Sequence, residues 1–155
     1  MTILPDQRTL VALATLGSIT LLGGAFMFQF LGYPPCEMCL WQRWPHAAAI
    51  AFGCTALMLG GMRAFSVLGA LAAATTGGLA VYHTGVERDW WEGPDSCTGG
   101  GAGLDMGSLL STEGAGIVMC DQVSWELFGL SMASWNAVAS FAIAGLWMLA
   151  FLRRA

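Results

Sequence analysis

Lysine is absent from this chain of 155 residues, and charge of either sign is scarce, at 10% of positions. An average soluble domain carries roughly a quarter charged residues, so this inventory cannot cover a water-facing surface, and a soluble globular domain is excluded. Basic excess is lacking too: six Arg stand against ten acidic residues for a net charge of −4, which argues against a nucleic-acid partner. With 56% hydrophobic residues, the chain is not a polar disordered one either. No internal repeat is evident. The stretch from Gly99 to Gly103 has neither the lysine nor the strand-turn-helix setting of a phosphate loop. A mean hydropathy of +0.64 leaves an integral membrane protein, and the length suits one compact unit, a single membrane domain over residues 1–155.

A helix needs about 20 apolar residues to cross about 30 Å of hydrocarbon. Four charge-free windows of that order occur, at residues 10–30, 44–62, 64–82 and 132–152. The first is longer than the apolar core of a signal peptide and lacks a clear small-residue cleavage site, so it is read as retained. The expected fold is all-α, a four-transmembrane-helix bundle with outer loops over about residues 31–43 and 83–131. Runs such as Gly23-Gly24, Ala47-Ala48-Ala49 and Gly77-Gly78 let helix backbones approach closely.

Charge orients the bundle. The two tails and the Gly60-Gly61-Met62-Arg63 turn sum to +3, whereas the two outer loops sum to −7. Arginine near membrane ends marks the cytoplasmic face, so both termini are expected there and both larger loops outside. Trp90 and Trp91 then fall at an outer boundary, as interfacial anchors. The second loop is too long for a bare connector. Its glycines, Gly99 to Gly107, impose little restraint, and Asp121 to Leu130 can lie on the membrane as a short interfacial helix or turn.

Four of the five cysteines lie in the outer loops: Cys36 and Cys39 as Cys-Glu-Met-Cys, then Cys97 and Cys120. Cys54 follows Trp44 by ten residues, about 15 Å deep in a helix, and is expected to be a small buried hydrophobe. Four cysteines allow three pairings, and three chemistries compete for them. Structural staples suit the second pair, because a Cys97–Cys120 bond would close a ring worth about 3 kcal/mol in the chain-entropy model. They suit Cys-x-x-Cys poorly, since that ring pins only two residues and such thiols have shifted pKa values and exchange readily. A four-thiolate zinc site more often uses two close-spaced pairs, and Cys97 and Cys120 are 23 apart, so no metal is expected. The remaining chemistry is a redox pair served by a relay pair. Its neighbours favour it: Pro34 and Pro35 hold the approach extended, and Arg43 follows Cys39 by four residues, so on a helix its cation would point toward the sulfur.

Pro35-Cys36-Glu37-Met38-Cys39-Leu40-Trp41-Gln42-Arg43 resembles the signature of the DsbB family of quinone-dependent disulfide-generating proteins of bacterial inner membranes. Tyr82 to Glu87 and Phe128 to Met132 with Trp135 also resemble family segments, and the likeness spans nearly the whole chain. It implies a multi-pass inner-membrane protein-disulfide oxidoreductase with periplasmic loops. Cys97 would be attacked by a reduced thioredoxin-like partner of the DsbA type, Cys120 would pass electrons to Cys36, and Cys39 would face ubiquinone, or menaquinone, as the thiolate donor. Arg43 would bind the quinone, and His83 would donate to a quinone carbonyl or relay a proton; His46 has a weaker claim. The glycine-rich stretch would act as a tether letting Cys120 approach Cys36. A vitamin K epoxide reductase-like enzyme is the alternative, but its Cys-x-x-Cys lies in a late span, whereas here the motif precedes the second. A non-catalytic, disulfide-stapled assembly protein would predict inert bridges and no quinone.

Overall fold

A computed structural model describes residues 5–98 and 119–153; the proposed glycine tether and Arg154 lie outside the described residues. Among the described residues four helices form: α1 Gln7–Phe30, α2 Glu37–Leu59, α3 Met62–Glu87 and α4 Met132–Leu152. A two-stranded hairpin, β1 Glu126–Leu127 and β2 Leu130–Ser131, precedes α4. Three of the helices, α1, α3 and α4, are long and apolar enough to cross a membrane. The second has the length, but Glu37, Gln42, Arg43 and His46 occupy its first turns and lower its hydropathy.

Local chemistry sets the helix ends. Ser131 caps α4 by accepting the Ser134 N–H at 3.2 Å, satisfying a donor that helical bonding leaves free. Between α2 and α3 the chain reverses on Gly60 and Gly61, at φ 88° and 72°, a left-handed conformation that costs glycine little. The expected boundaries shift most at two places. Helix α2 begins seven residues before Trp44, at Glu37, because Cys36 caps it, and α3 runs past Tyr82 to Glu87. His83 and Glu87 thus belong to a rigid helix and not to a loop.

The stretch from Asp121 to Leu130 is not the interfacial helix that its apolar residues suggest. Phe128 and Gly129 both take positive φ, 55° and 75°, and turn the chain tightly between Leu127 and Leu130, as a hairpin loop of this hand requires. Arg88 donates to the Gly129 carbonyl at 3.0 Å and Trp135 Nε1 to the Leu127 carbonyl at 3.1 Å, which fastens the hairpin to α3 and α4. Trp125 meets Phe28 of α1 edge to face, with centroids 5.3 Å apart. Trp91, expected only as an interfacial anchor, also donates to the Tyr82 carbonyl at 2.8 Å and stacks on the Tyr82 ring.

Each helix packs on its two sequence neighbours around a ring, α1 closing against α4, while α1 and α3 face across the diagonal with little contact. The inner end of the core is built from Leu10, Val11 and Ala14 of α1, Ala56 of α2, Ala70 and Ala73 of α3, and Ile143, Trp147 and Ala150 of α4. Large apolar side chains such as Leu16, Trp44, Met58, Leu71 and Val138 point outward, the arrangement a lipid solvent permits. Cys54 is among the outward-facing residues, contrary to expectation: its turn of α2 presents Gly53 and Ala56 to the other helices instead.

Close packing depends on small residues at specific points. A Cβ on Gly69 would stand 2.5 Å from the fully buried indole of Trp147. Overpacking of this kind costs typically 1–3 kcal/mol. Gly69→Ala should therefore lower the unfolding free energy by about 1–3 kcal/mol in detergent micelles, whereas Gly145→Ala, with open space around its Cβ, should leave it nearly unchanged. Equal stability of the two variants would contradict this packing.

Candidate functional site

Four of the five cysteines meet at the end of the bundle where α2 begins and α3 ends. Cys36, Cys97 and Cys120 are buried together with Met38 and Val86, and Cys39 packs against them. Cys97 and Cys120 form a disulfide with Cα atoms 5.3 Å apart, and the Cys120 N–H donates to the Cys97 carbonyl. Cys36 and Cys39 are free thiols. Because Cys36 caps α2, its sulfur accepts the Cys39 N–H at 3.2 Å, and the two sulfurs stand 2.7 Å apart. The spacing of the motif accounts for this, since a cap and the third helical residue face each other across the first turn.

The two thiols are unequal. Both precede the apolar run that begins at Trp44. The Cys36 S–H donates to the Cys39 sulfur, which holds Cys36 far above the ordinary thiol range, and burial raises it further. The same hydrogen bond lowers Cys39, with the Cys36 contact outweighing burial and the Arg43 charge contributing least. Cys39 is thus the more acidic thiol of the pair, and as a residue it is half-buried where Cys36 is buried.

His83 is 3% exposed, with Nε2 3.5 Å from the Cys36 sulfur and 3.8 Å from Glu87 Oε1. The ring also meets the backbone of Cys120. Its other nitrogen, Nδ1, lies 3.0 Å from Gln42 Nε2. Gln42 donates to the Met38 carbonyl at 3.1 Å and accepts from Asn136 Nδ2 at 2.7 Å. Asn136 Oδ1 in turn takes contacts from His46 Nε2 at 3.1 Å and Ser140 Oγ at 3.2 Å. A polar chain therefore runs from the sulfurs into the bundle across α3, α2 and α4. Glu87 is held by the Ser131 hydroxyl.

The same end of the bundle encloses a cavity of about 400 Å³. Its apolar wall includes Leu21, Phe28, Tyr33, Trp125 and Met132, and its polar groups include Cys36, Cys39, Arg43, His46, His83 and Asn136. Arg43 does not turn back toward Cys39: Nη1 donates to Gln29 Oε1 of α1 at 2.8 Å, and the guanidinium lies 4.7 Å over the Phe26 ring. Among the described residues its Nε is buried without an acceptor. A largely apolar cavity with a few convergent donors suits a small hydrophobic ring bearing carbonyl oxygens, and the orphaned Arg43 Nε is a donor that such an oxygen would satisfy. The donor atoms of Cys36, Cys39 and His83 lie within 4.8 Å of one another, close enough in principle to converge on a metal ion.

Gln42, Glu87 and Ser131 lie within the segments that resemble the family, but nothing local assigns them a role, and Asn136 lies outside those segments. A signal exists for Asn136, a lone amide in the first turns of an otherwise apolar span; Glu87, by its charge alone, looks like a solvated acid of an acidic loop.

Fold and site together define a helical membrane protein with thiol–disulfide chemistry at one end of its bundle. A family model described as "Disulfide bond formation protein DsbB" matches residues 7–150. Disulfide bond formation protein B 1 of Pseudomonas aeruginosa is 32% identical over 98% of this chain and 99% of its own length. The disulfide bond formation protein B of Aromatoleum aromaticum is 32% identical over 78% of this chain and 77% of its own, and that of Stutzerimonas stutzeri 29% over 97% and 98%. No solved structure matches. The chain belongs to the DsbB family of membrane proteins of disulfide bond formation.

The inequality of the two thiols can be tested by alkylation of the reduced protein near neutral pH. Iodoacetamide should modify Cys39 well before Cys36, resolved by peptide mass spectrometry, and raising the pH should speed Cys39 first. Faster labelling of Cys36 would reverse the assignment.

Proposed function

We propose that this protein is a membrane thiol oxidase, taking two electrons from the dithiol of a periplasmic thioredoxin-fold protein of the DsbA type. The electrons pass through Cys97 and Cys120, then Cys36 and Cys39, to ubiquinone or menaquinone. The observation that carries this reading is the meeting of two cysteine pairs, one joined and one free, beside an apolar cavity. On this reading all four helices cross the inner membrane, α2 from about Trp44, with both termini cytoplasmic and the cysteines on the oxidising side.

The exchange is balanced in sulfur bonds. A partner thiolate attacks Cys97 and expels Cys120; the second partner thiol then displaces Cys97 and leaves with the new disulfide. Cys120, now a thiolate, attacks the Cys36–Cys39 disulfide at Cys36 and expels Cys39, whose thiolate the Arg43 charge favours. Cys97 then displaces Cys36, which restores the Cys97–Cys120 bond and leaves Cys36 and Cys39 reduced. The pairing seen here, outer cysteines joined and inner cysteines free, matches that last stage. When bound, a quinone supplies the two-electron, two-proton acceptor. Arg43 would hold one of its oxygens, Cys39 would face it as thiolate, and His83 lines the same cavity wall. The apolar wall excludes water, which strengthens the Arg43 charge at the site.

Purified protein should oxidise a reduced thioredoxin-like protein only when quinone is supplied. Cys97→Ser and Cys120→Ser should abolish oxidation of the protein substrate while Cys36 and Cys39 remain oxidisable by quinone; Cys36→Ser or Cys39→Ser should stop quinone reduction. Full turnover by Cys97→Ser would sink the relay, and Cys54→Ala, on the outer face, is the active control.

Arg43 separates a site cation from a mere link to α1. Losing a hydrogen bond to a charged group costs roughly 1.5–3 kcal/mol, so Arg43→Ala should lower quinone kcat/KM about 10- to 100-fold. Arg43→Lys, which keeps charge but loses the planar fork, should also fall below wild type. Steady-state kinetics with quinone varied, on variants shown to fold, would reject the role if Arg43→Ala equalled wild type.

A further inference from the structure

The orientation of one buried amide decides which nitrogen of His83 carries its proton. The Met38 carbonyl can only accept, so the Gln42 group 3.1 Å from it is the NH2. That leaves Oε1 toward Asn136, whose Nδ2 donates to it at 2.7 Å. The same Gln42 NH2 lies 3.0 Å from His83 Nδ1, and a donor there requires Nδ1 to be the unprotonated acceptor. The proton of a neutral ring then sits on Nε2. Two contacts of Nε2 agree: the Cys36 sulfur at 3.5 Å and Glu87 Oε1 at 3.8 Å can both accept.

We propose that Gln42, clamped between the Met38 carbonyl and Asn136, is a positioning residue that locks His83 as the Nε2–H tautomer, aims that N–H at the Cys36 sulfur and thereby denies a metal ion the Cys36–Cys39–His83 trio. The denial follows from second-shell chemistry. A neutral His that binds metal through Nε2 carries its proton on Nδ1 and donates it to an acceptor. Here Nδ1 faces a donor, so metallation would set two N–H groups against each other. The gain for exchange chemistry lies at the sulfur of Cys36, which becomes a thiolate when Cys97 displaces it, and which a fixed N–H stabilises at that moment. A zinc ion held by the same three residues would trap the reduced dithiol, and the amide orientation disfavours it. This inference rests on the thiol-oxidase reading for its purpose, but neither of its primary measurements needs quinone or partner.

The decisive variant is Gln42→Glu, of nearly the same shape. Its carboxylate offers Nδ1 an acceptor where wild type offers a donor, and should reverse the tautomer. In reduced wild-type protein labelled with 15N-histidine, the His83 Nδ1 signal should be pyridine-like and Nε2 pyrrole-like; in Gln42→Glu the two should exchange. Titration of the reduced proteins with Zn2+ should show about 10-fold or greater tighter binding by Gln42→Glu, lost again in Gln42→Glu with His83→Ala. A pyrrole-like Nδ1 in wild type, or zinc binding through His83 as tight in wild type as in Gln42→Glu, would overturn the proposal. Should Gln42→Glu fail to fold, the wild-type spectrum and the zinc affinities of wild type and His83→Ala still decide it: a loss of affinity on removing His83 from otherwise wild-type protein would show that the ring binds metal after all. Failure of quinone-dependent turnover with the expected spectra would instead count against the oxidase reading alone.

Discussion

A primary amide buried where three helices meet cannot leave its hydrogen-bonding groups unmatched, because no water reaches them and an unpaired donor costs about 1–3 kcal/mol. Gln42 satisfies this demand with groups from α2, α3 and α4: the Met38 carbonyl, His83 and Asn136. It also offers its own backbone carbonyl to Thr76 at 2.9 Å. These bonds are directional in a way that apolar packing is not. They set the rotation of α2 against α3, and with it the position of Cys36 beside His83. Shifting either helix by one residue would break the whole set.

Polarity at this end is what makes α2 the least membrane-like of the helices, and the cost is offset by where the polar groups lie. Gln42 and His46 are buried within the bundle, while Arg43 crosses to Gln29 and Phe26 of α1. The opposite end is held differently, by alanine and glycine surfaces closing on Val11, Ile143 and Trp147. The bundle thus divides its work along its length, with tight apolar packing inside and a polar, cavity-bearing mouth outside. A cavity can persist at the mouth because the hairpin and Trp125 roof it from above while hydrogen bonds from Arg88 and Trp135 hold that roof in place.

The inequality of Cys36 and Cys39 follows from the same geometry. One sulfur caps a helix and the other sits in its first turn, so a single hydrogen bond between them pushes their acidities in opposite directions. The Cys97–Cys120 disulfide is buried beside Cys36, with Cys39 packed against the group. In the reduced pair, the sulfur nearer the helix interior is therefore the more acidic.

Composition and spacing by themselves determined that the chain is helical and membrane-bound, that four cysteines form two sets, and that Cys-x-x-Cys with Arg43 is the candidate centre to look at, because hydropathy and local motifs are read along the chain. The start of α4 at Met132 was legible for the same reason, as the first residue of a charge-free run. Residues that act across helices were not legible. Asn136, Glu87 and Gln42 also act through partners 41 to 94 residues away, and no local pattern encodes such pairings. Of the helix or turn that the apolar residues of Asp121 to Leu130 allowed, two left-handed residues decided for the turn, in the form of a hairpin. Cys54 turned outward and Arg43 toward α1 because the rotation of α2 is settled by its buried hydrogen bonds. Tertiary structure alone decided which face of that helix meets the cavity, and so which side chains can do chemistry there.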